Sequence, residues 1–191
     1  MKYTLQILFG LMLMIFPLCS HAMFTELGLT YGRKRTTFDA NNDSDSEYTT
    51  ASVSLYFAER MALELSYTDA ATVQHQQLSS ADLPRTIYQK SDILGADLVY
   101  IFADKTAVFQ PFVKAGIAQI KRNLEYKDGS FPTQTTPIPD NSIAPSYGVG
   151  FKVAVTDAFG IKASYSVWQT PIGNGQKTND DAISAGVTWM F

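Results

Sequence analysis

The sequence predicts an all-β fold, an eight-stranded antiparallel up-and-down transmembrane β-barrel. Three observations indicate it: an N-terminal segment typical of export, eight segments in which apolar and polar residues alternate, and connections that are alternately long and short. Alternation with a period of two is the pattern of a strand that has one apolar and one polar face. Short turns at one end and long loops at the other are typical of barrels in the outer membrane of Gram-negative bacteria.

The N-terminal segment has the layout of a secretory signal peptide. Lys2 precedes an apolar run over residues 5–18, and the segment closes with small residues up to Ala22. The run is shorter than the roughly 20 apolar residues that a spanning helix needs. We therefore expect cleavage after Ala22, which divides the chain into a signal peptide, residues 1–22, and one outer-membrane β-barrel domain, residues 23–191.

Composition excludes several classes of protein. Cys19 is the single cysteine and lies in the segment predicted to be removed, so disulfides are not expected to stabilise the mature chain. Leu18 is not the small residue that normally precedes a lipidated cysteine, which disfavours a lipoprotein. The formal net charge of −3 disfavours a nucleic-acid partner. Polar residues interrupt every apolar stretch after Ala22, so no spanning helix is expected.

Eight segments carry the alternation. They cover residues 26–32, 51–57, 61–68, 91–102, 109–118, 147–155, 161–167 and 183–191. The second, fourth and sixth connections are links of a few residues, whereas the first, third, fifth and seventh are long and polar. Because the short links of outer-membrane barrels lie in the periplasm and the strand number is even, we expect both termini on the periplasmic side.

Charged residues of both signs occupy the polar faces, among Gly, Ser and Thr. In a membrane barrel this face lines the lumen, so we expect a network of paired charges there. Its members are Glu64, Asp97, Lys114, Lys152 and Lys162; Glu26 also falls on the polar face.

A soluble, lipocalin-like barrel would show the same alternation with its apolar face inward. Aromatic residues near the ends of the apolar faces, such as Tyr31 and Trp189, favour the membrane barrel, because they suit interfacial girdles.

The C-terminal residues form a recognisable pattern, polar-x-Gly-x-x-aromatic-x-aromatic, in Ser184, Gly186, Trp189 and Phe191. It resembles the signal by which the barrel assembly machinery recognises outer-membrane proteins. With the stretches at 110–116, 147–150 and 156–160, it makes the chain similar to the OmpA-like membrane domain and its porin-family relatives. The resemblance implies contact with outer-membrane lipid and lipopolysaccharide, and with the assembly machinery during insertion. The peptidoglycan-binding domain of OmpA is absent, so no cell-wall tether is expected.

No constellation of residues predicts catalysis. His75 is the histidine of the predicted mature chain, and Ser79 and Ser80 follow it. Lipid A deacylases of this size use a His and a Ser close together on a strand, but this spacing is not their motif. No acid is near His75 in the sequence, so we interpret it as a solvated loop residue rather than a general base. We expect no catalytic residue and no cofactor.

The first outer connection carries oxygen-bearing residues at alternate positions, namely Asp39, Asn41, Asp43, Asp45 and Glu47. This spacing suggests calcium, but the EF-hand pattern fails, because Ser44 stands where Gly is needed and Thr50 where Glu is needed. We therefore expect a hydrated acidic loop and no metal site.

The third outer connection, residues 126–145, contains four prolines, which we expect to limit strand extension. It is either a surface epitope or adhesive loop, or a stiff connector.

Three functions remain open. The first is a non-enzymatic barrel that displays surface loops, for envelope structure, adhesion or interaction with an extracellular ligand. The second is a small or gated porin-like channel, although eight strands leave an interior that side chains can fill. The third is an outer-leaflet enzyme that modifies lipid A.

Overall fold

The computed structural model describes residues 24–39, 42–76, 85–104, 106–128, 134–173 and 176–191. Residues 1–22, the predicted signal peptide, lie outside this part of the chain. The eight strands are β1 (Phe24–Asp39), β2 (Asn42–Ala58), β3 (Met61–Gln76), β4 (Arg85–Ile101), β5 (Phe109–Asp128), β6 (Gln134–Ala154), β7 (Phe159–Gly173) and β8 (Gln176–Met190). No helix among the described residues is long and apolar enough to cross a membrane.

The strands close into one barrel in which each pairs antiparallel with the next and β8 pairs with β1. The β8–β1 seam runs from the pair Glu26 and Met190 to the pair Tyr31 and Ala185. Beyond it, the Phe191 N–H donates to the carbonyl oxygen of Thr25 at 2.8 Å. Closure leaves no free sheet edge around the belt of the barrel. The predicted fold class, strand number and antiparallel order are therefore confirmed.

The predicted strand ends at the short turns agree with the structure to within two residues, whereas those at the outer connections are wrong, because the strands are 15 to 21 residues long. A tilted strand crosses the hydrocarbon core with about 9 to 11 residues. β1 continues to Asp39, and β2 begins at Asn42. The connections between these strands are consequently much shorter than the long outer loops expected. Outside the belt both faces become polar, so the hydropathy alternation disappears from the sequence although pairing between the strands continues.

The prolines of the third outer connection do not stop the strand, contrary to expectation. β6 includes Pro137, Pro139 and Pro145, and it pairs with β5 along this stretch. β7 pairs with β6 only from Ser146 to Ala154. Among the described residues, that edge of β6 therefore has no partner strand farther out, and proline is tolerated at such an edge because no ladder hydrogen bond is lost there.

The faces of the wall are the reverse of those of a soluble protein. Leu65 is 48% exposed on the outside, whereas its neighbour Glu64 is 2% exposed inside. The exposed large hydrophobic residues lie on all eight strands, which suits contact with lipid. On β1 and β3 the outward tyrosines, Tyr31 and Tyr67, stand where the apolar belt gives way to charged residues.

Two apolar layers fill the interior. The layer nearer the termini contains Tyr56, Ala62, Val99, Ile101 and Phe112. The layer nearer the outer hairpins contains Ile93, Ala118, Ile120, Ala144, Trp168 and Ala182. On the inward face of β4, Asp97 lies between Ile93 of one layer and Val99 of the other. On this strand the lumen charge thus lies between the two apolar layers.

Candidate functional site

Strand register sets like charges beside one another in the lumen. Glu64 on β3 pairs directly with Asp97 on β4, and Lys152 on β6 pairs directly with Lys162 on β7. Like charges directly opposed on antiparallel strands destabilise the sheet. The acidic pair and the basic pair lie on opposite sides of the barrel, with Lys114 on β5 between them. Ion pairing across the narrow interior can therefore offset both repulsions.

Glu64 is the centre of the larger cluster. Its Oε1 accepts a hydrogen bond from Lys114 Nζ at 2.9 Å, and its Oε2 accepts one from Lys162 Nζ. Lys114 Nζ also lies 3.4 Å from Oδ2 of Asp97, whose Oδ1 accepts a hydrogen bond from Ser146. These groups are buried, so each charge depends on the others for solvation. Of the predicted network, four members come together here: Glu64, Asp97, Lys114 and Lys162.

Lys152 belongs to a second pair. Its Nζ donates to Glu26 Oε2 at 2.6 Å, and the Tyr56 hydroxyl donates to the same oxygen at 3.0 Å. Glu26 falls on the polar face in the sequence but was not placed in the expected network. The missing signal is strand register, because Glu26 and Lys152 are 126 positions apart in sequence.

Two aromatic rings of the apolar layer nearer the termini lie close to the lumen lysines. Lys162 Nζ is 5.1 Å from the ring centroid of Phe112, and Lys152 Nζ is 5.7 Å from that of Tyr56. Both distances allow a cation–π attraction. The same lysines are thus held by a carboxylate and by a ring, which restricts their movement along the barrel axis.

Glycines on the inner wall make room for this cluster. A Cβ at Gly148 would lie 3.1 Å from Lys114 Cε, and one at Gly116 would lie 2.7 Å from Asp97 Oδ1. A Cβ at Gly150 would lie 2.5 Å from the ring of Phe112. Each of these glycines is the cross-strand partner, on the neighbouring strand, of the larger side chain, which can lie over it because the glycine carries no side chain.

Little space remains among the charges. The cavity lined by Glu26, Glu64, Lys152 and Lys162 has a volume of about 20 Å³, which is enough for about one water molecule. Larger cavities lie at the two ends: one of about 330 Å³ toward the outer hairpins and one of about 370 Å³ toward the termini. Side chains therefore fill the described middle of the barrel.

The acidic residues predicted to form a loop lie instead in strands: Asp39 ends β1, and Asp43, Asp45 and Glu47 lie on the outward face of β2. Arg33 Nε donates to Asp45 Oδ1 at 3.0 Å, and this hydrogen bond lowers the pKa of the Asp45 carboxyl below its usual range. Arg35 lies 3.4 Å from Asp43. The carboxylates face cations on β1 rather than a shared centre, and the described residues contain no group of three or more metal-binding side chains. Asn41 lies outside the described residues.

His75 has a carboxylate neighbour, contrary to expectation. Its Nδ1 lies 3.1 Å from Asp43 Oδ1, because Asp43 on β2 is in register with His75 on β3. Both side chains are on the outer surface, and Arg35 contacts the same carboxylate. Ser79 and Ser80 lie outside the described residues. The acid could not be found from neighbouring sequence, since strand pairing supplies it.

The four residues of the C-terminal pattern lie at or near the β8–β1 seam. The Ser184 hydroxyl is 3.1 Å from that of Ser164 on β7. A Cβ at Gly186 would lie 1.9 Å from the carbonyl oxygen of Leu29. Trp189 and Phe191 are exposed, with ring centroids 6.3 Å apart. Each residue thus has a structural position, while its recognition by the assembly machinery stays a prediction.

A closed barrel with an apolar outside and a filled interior that contains buried charges is the architecture of a small outer-membrane protein. The sequence model of the outer membrane protein beta-barrel domain family matches residues 25–191, and the chain belongs to this family. No curated protein sequence is significantly similar to it.

Solved outer-membrane barrels share the fold. The N-terminal β-barrel domain of OprF from Pseudomonas aeruginosa has a TM-score of 0.56 at 16% identity, covering 88% of this chain and 97% of that one. Neisserial surface protein A has a TM-score of 0.58 at 16% identity, with the same coverage. OprG from Pseudomonas aeruginosa has a TM-score of 0.54 at 13% identity, covering 88% and 95%. The family and these structures imply a location in the outer membrane.

Proposed function

We propose that this protein is a non-enzymatic outer-membrane barrel that displays its outer hairpins at the cell surface, with both termini in the periplasm. The observation that carries the proposal is the combination of a filled lumen with strands that continue beyond the apolar belt. The first makes the barrel a rigid support. The second raises the four outer hairpins above the membrane, where an extracellular ligand or a neighbouring envelope component can reach them.

The filled lumen argues against the channel alternative. An ion or solute on the barrel axis would have to pass two apolar layers and break the contacts of Glu64 with Lys114 and Lys162. Removing one partner of a buried pair costs roughly 3 to 5 kcal/mol, because the other charge loses its compensation. A pathway that requires this step conducts poorly at rest.

The orientation is testable with epitope tags on intact cells. One tag is inserted between Gln76 and Arg85, the β3–β4 connection, and the matched control tag between Phe102 and Phe109, the β4–β5 connection. We expect antibody to label the first tag on intact cells and the second only after permeabilisation. Labelling of the β4–β5 tag on intact cells would invert the proposed topology.

Shortening the outer hairpins one at a time tests the display function itself. Surface binding, solute leakage and lipid A composition are measured for each variant. Loss of binding alone supports display. A change in leakage would support the channel, and a change in lipid A would support the enzyme; either result without any loss of binding would overturn the proposal.

A further inference from the structure

The cavity at the outer end of the lumen, here called the vestibule, has a volume of about 330 Å³. It lies above the outer apolar layer, whose Ile93, Ile120 and Trp168 form its floor. Its walls come from the inward faces of the strands where they continue past the membrane belt. This volume is at the lower end of the range for small-molecule sites, and it suits a ligand of one or two sugar rings.

The charges in the vestibule already have partners. Lys34 forms an ion pair with Asp181, and Arg122 forms one with Asp180. Among the lining residues that the structure describes, these two cations and two carboxylates balance. A strongly ionic ligand would have to compete with these pairs, so the site favours a ligand without net charge.

Neutral hydrogen-bonding groups line the walls. They are the hydroxyls and amides of Thr36, Ser44, Thr72, Gln74, Gln89 and Asn179. The Ser46 and Thr72 hydroxyls lie 2.9 Å apart, so one donates to the other and both retain acceptor capacity. The buried Nε of Arg122 has no hydrogen-bond partner among the described residues.

Aromatic side chains complete the lining. Trp168 in the floor and Tyr48 in the wall both contact the vestibule. Rings with a polar group at the edge combine an apolar surface with a hydrogen-bonding site. A sugar ring has the matching chemistry, because its hydroxyls radiate around the rim while its C–H groups form apolar faces.

We propose that the vestibule binds a neutral carbohydrate unit, one or two sugar rings in size, within the mouth of the barrel. The ring packs against the aromatic floor, and its hydroxyls bond to the neutral side chains of the wall. The source of the unit is a free sugar or the end of a glycan chain. This inference goes beyond the display of the hairpins and does not depend on it.

The test uses the fluorescence of Trp168. The chain has two tryptophans, so Trp189→Phe, which keeps the outward aromatic ring, leaves Trp168 as the reporter. The folded protein, in a detergent without a sugar headgroup, is titrated with glucose, galactose and N-acetylglucosamine. Glucose 6-phosphate serves as the charged counterpart of glucose. We expect a saturable change in emission with at least one neutral sugar, and a weaker response to glucose 6-phosphate than to glucose.

Matched hydroxyl variants locate the site. Thr72→Val alters a wall residue of the vestibule, whereas Thr68→Val alters the equivalent hydroxyl pair, Thr50 and Thr68 at 2.8 Å, two inward-facing pairs deeper on the same two strands. We expect Thr72→Val to weaken binding about three- to tenfold, as for one lost hydrogen bond, and Thr68→Val to leave it unchanged.

Three results would overturn the proposal: no saturable response to any of the three sugars, a tighter response to glucose 6-phosphate than to glucose, or equal weakening by both variants. Where a sugar binds, an oligosaccharide of the same unit distinguishes its source. Tighter binding of the oligosaccharide assigns the site to a glycan end, and weaker binding assigns it to the free sugar. The titration uses purified protein, so a failure of surface labelling in the tag experiment would not change the result of the sugar titration.

Discussion

At the scale of single residues, Glu64 accepts more side-chain hydrogen bonds than any other lumen charge described. Each of its two carboxylate oxygens contacts a different lysine. Ser54 Oγ also donates a hydrogen bond to Glu64 Oε2 at 3.3 Å. Lys152, by contrast, depends on Glu26. The two carboxylates share no lysine in the described contacts, although Lys152 and Lys162 are cross-strand neighbours, so double-mutant cycles can measure how strongly the two groups are coupled.

Replacement of Glu64 by Gln is expected to lower the free energy of unfolding by roughly 3 to 5 kcal/mol, because two buried lysines lose their shared carboxylate. Lys162→Met on that background should recover part of the loss. Lys152→Met should recover none, since its partner Glu26 is still present. Urea titration of the protein in lipid vesicles measures the wild type and these three variants. Equal recovery by the two lysine replacements would show that the lumen charges form one undivided network.

At the scale of strands, the apolar belt could be predicted from sequence and the rest could not. Alternation indicated all eight strands, because each presents one face to lipid and the other to the lumen. It failed beyond the belt, as at the end of β1, where Thr, Arg and Lys occupy both faces. Strand register could not be predicted either, because it depends on turns and bulges. The contacts of Glu26 with Lys152 and of His75 with Asp43 depend on that register, so they could not be predicted. The prolines of β6 were misjudged because the unpaired edge of that strand is a property of the whole sheet.

The β8–β1 seam provides a test at this scale. A Cβ at Gly186 would meet the backbone of Leu29 at 1.9 Å, whereas one at Gly95 would meet the movable hydroxyl of Ser66 at 2.5 Å. Gly186→Ala should therefore destabilise the barrel by about 1 to 3 kcal/mol, as overpacking does, and Gly95→Ala should cost less.

Refolding of the purified chain into vesicles, followed by gel migration before and after boiling, measures the folded fraction without assembly machinery. A Gly186→Ala variant that folds like wild type here, yet fails to reach the outer membrane in cells, would assign this glycine to recognition alone. Loss of folding in vesicles together with loss of the protein from the outer membrane would support a steric clash at the β8–β1 seam as the cause.

At the scale of the whole molecule, the filled barrel requires one orientation of the side chains: odd-numbered residues of β3 face lipid, and even-numbered residues face the interior. The buried Glu64 beside the exposed Leu65 illustrates it. The same assignment supports the proposed rigid barrel with a filled middle, and leaves a cavity at each end of the lumen, of which the vestibule is the outer one.

The most direct test is labelling of single cysteines in membrane-inserted protein, on a chain whose only natural cysteine is Cys19. Cysteines are placed at Leu65 and Val153, which are expected to face lipid, and at their neighbours Ser66 and Ala154, which are expected to face the interior. A lipid-soluble maleimide should modify the first two positions and spare the second two. Modification of positions 66 and 154 with protection of 65 and 153 would contradict the assignment and, with it, the filled-lumen barrel.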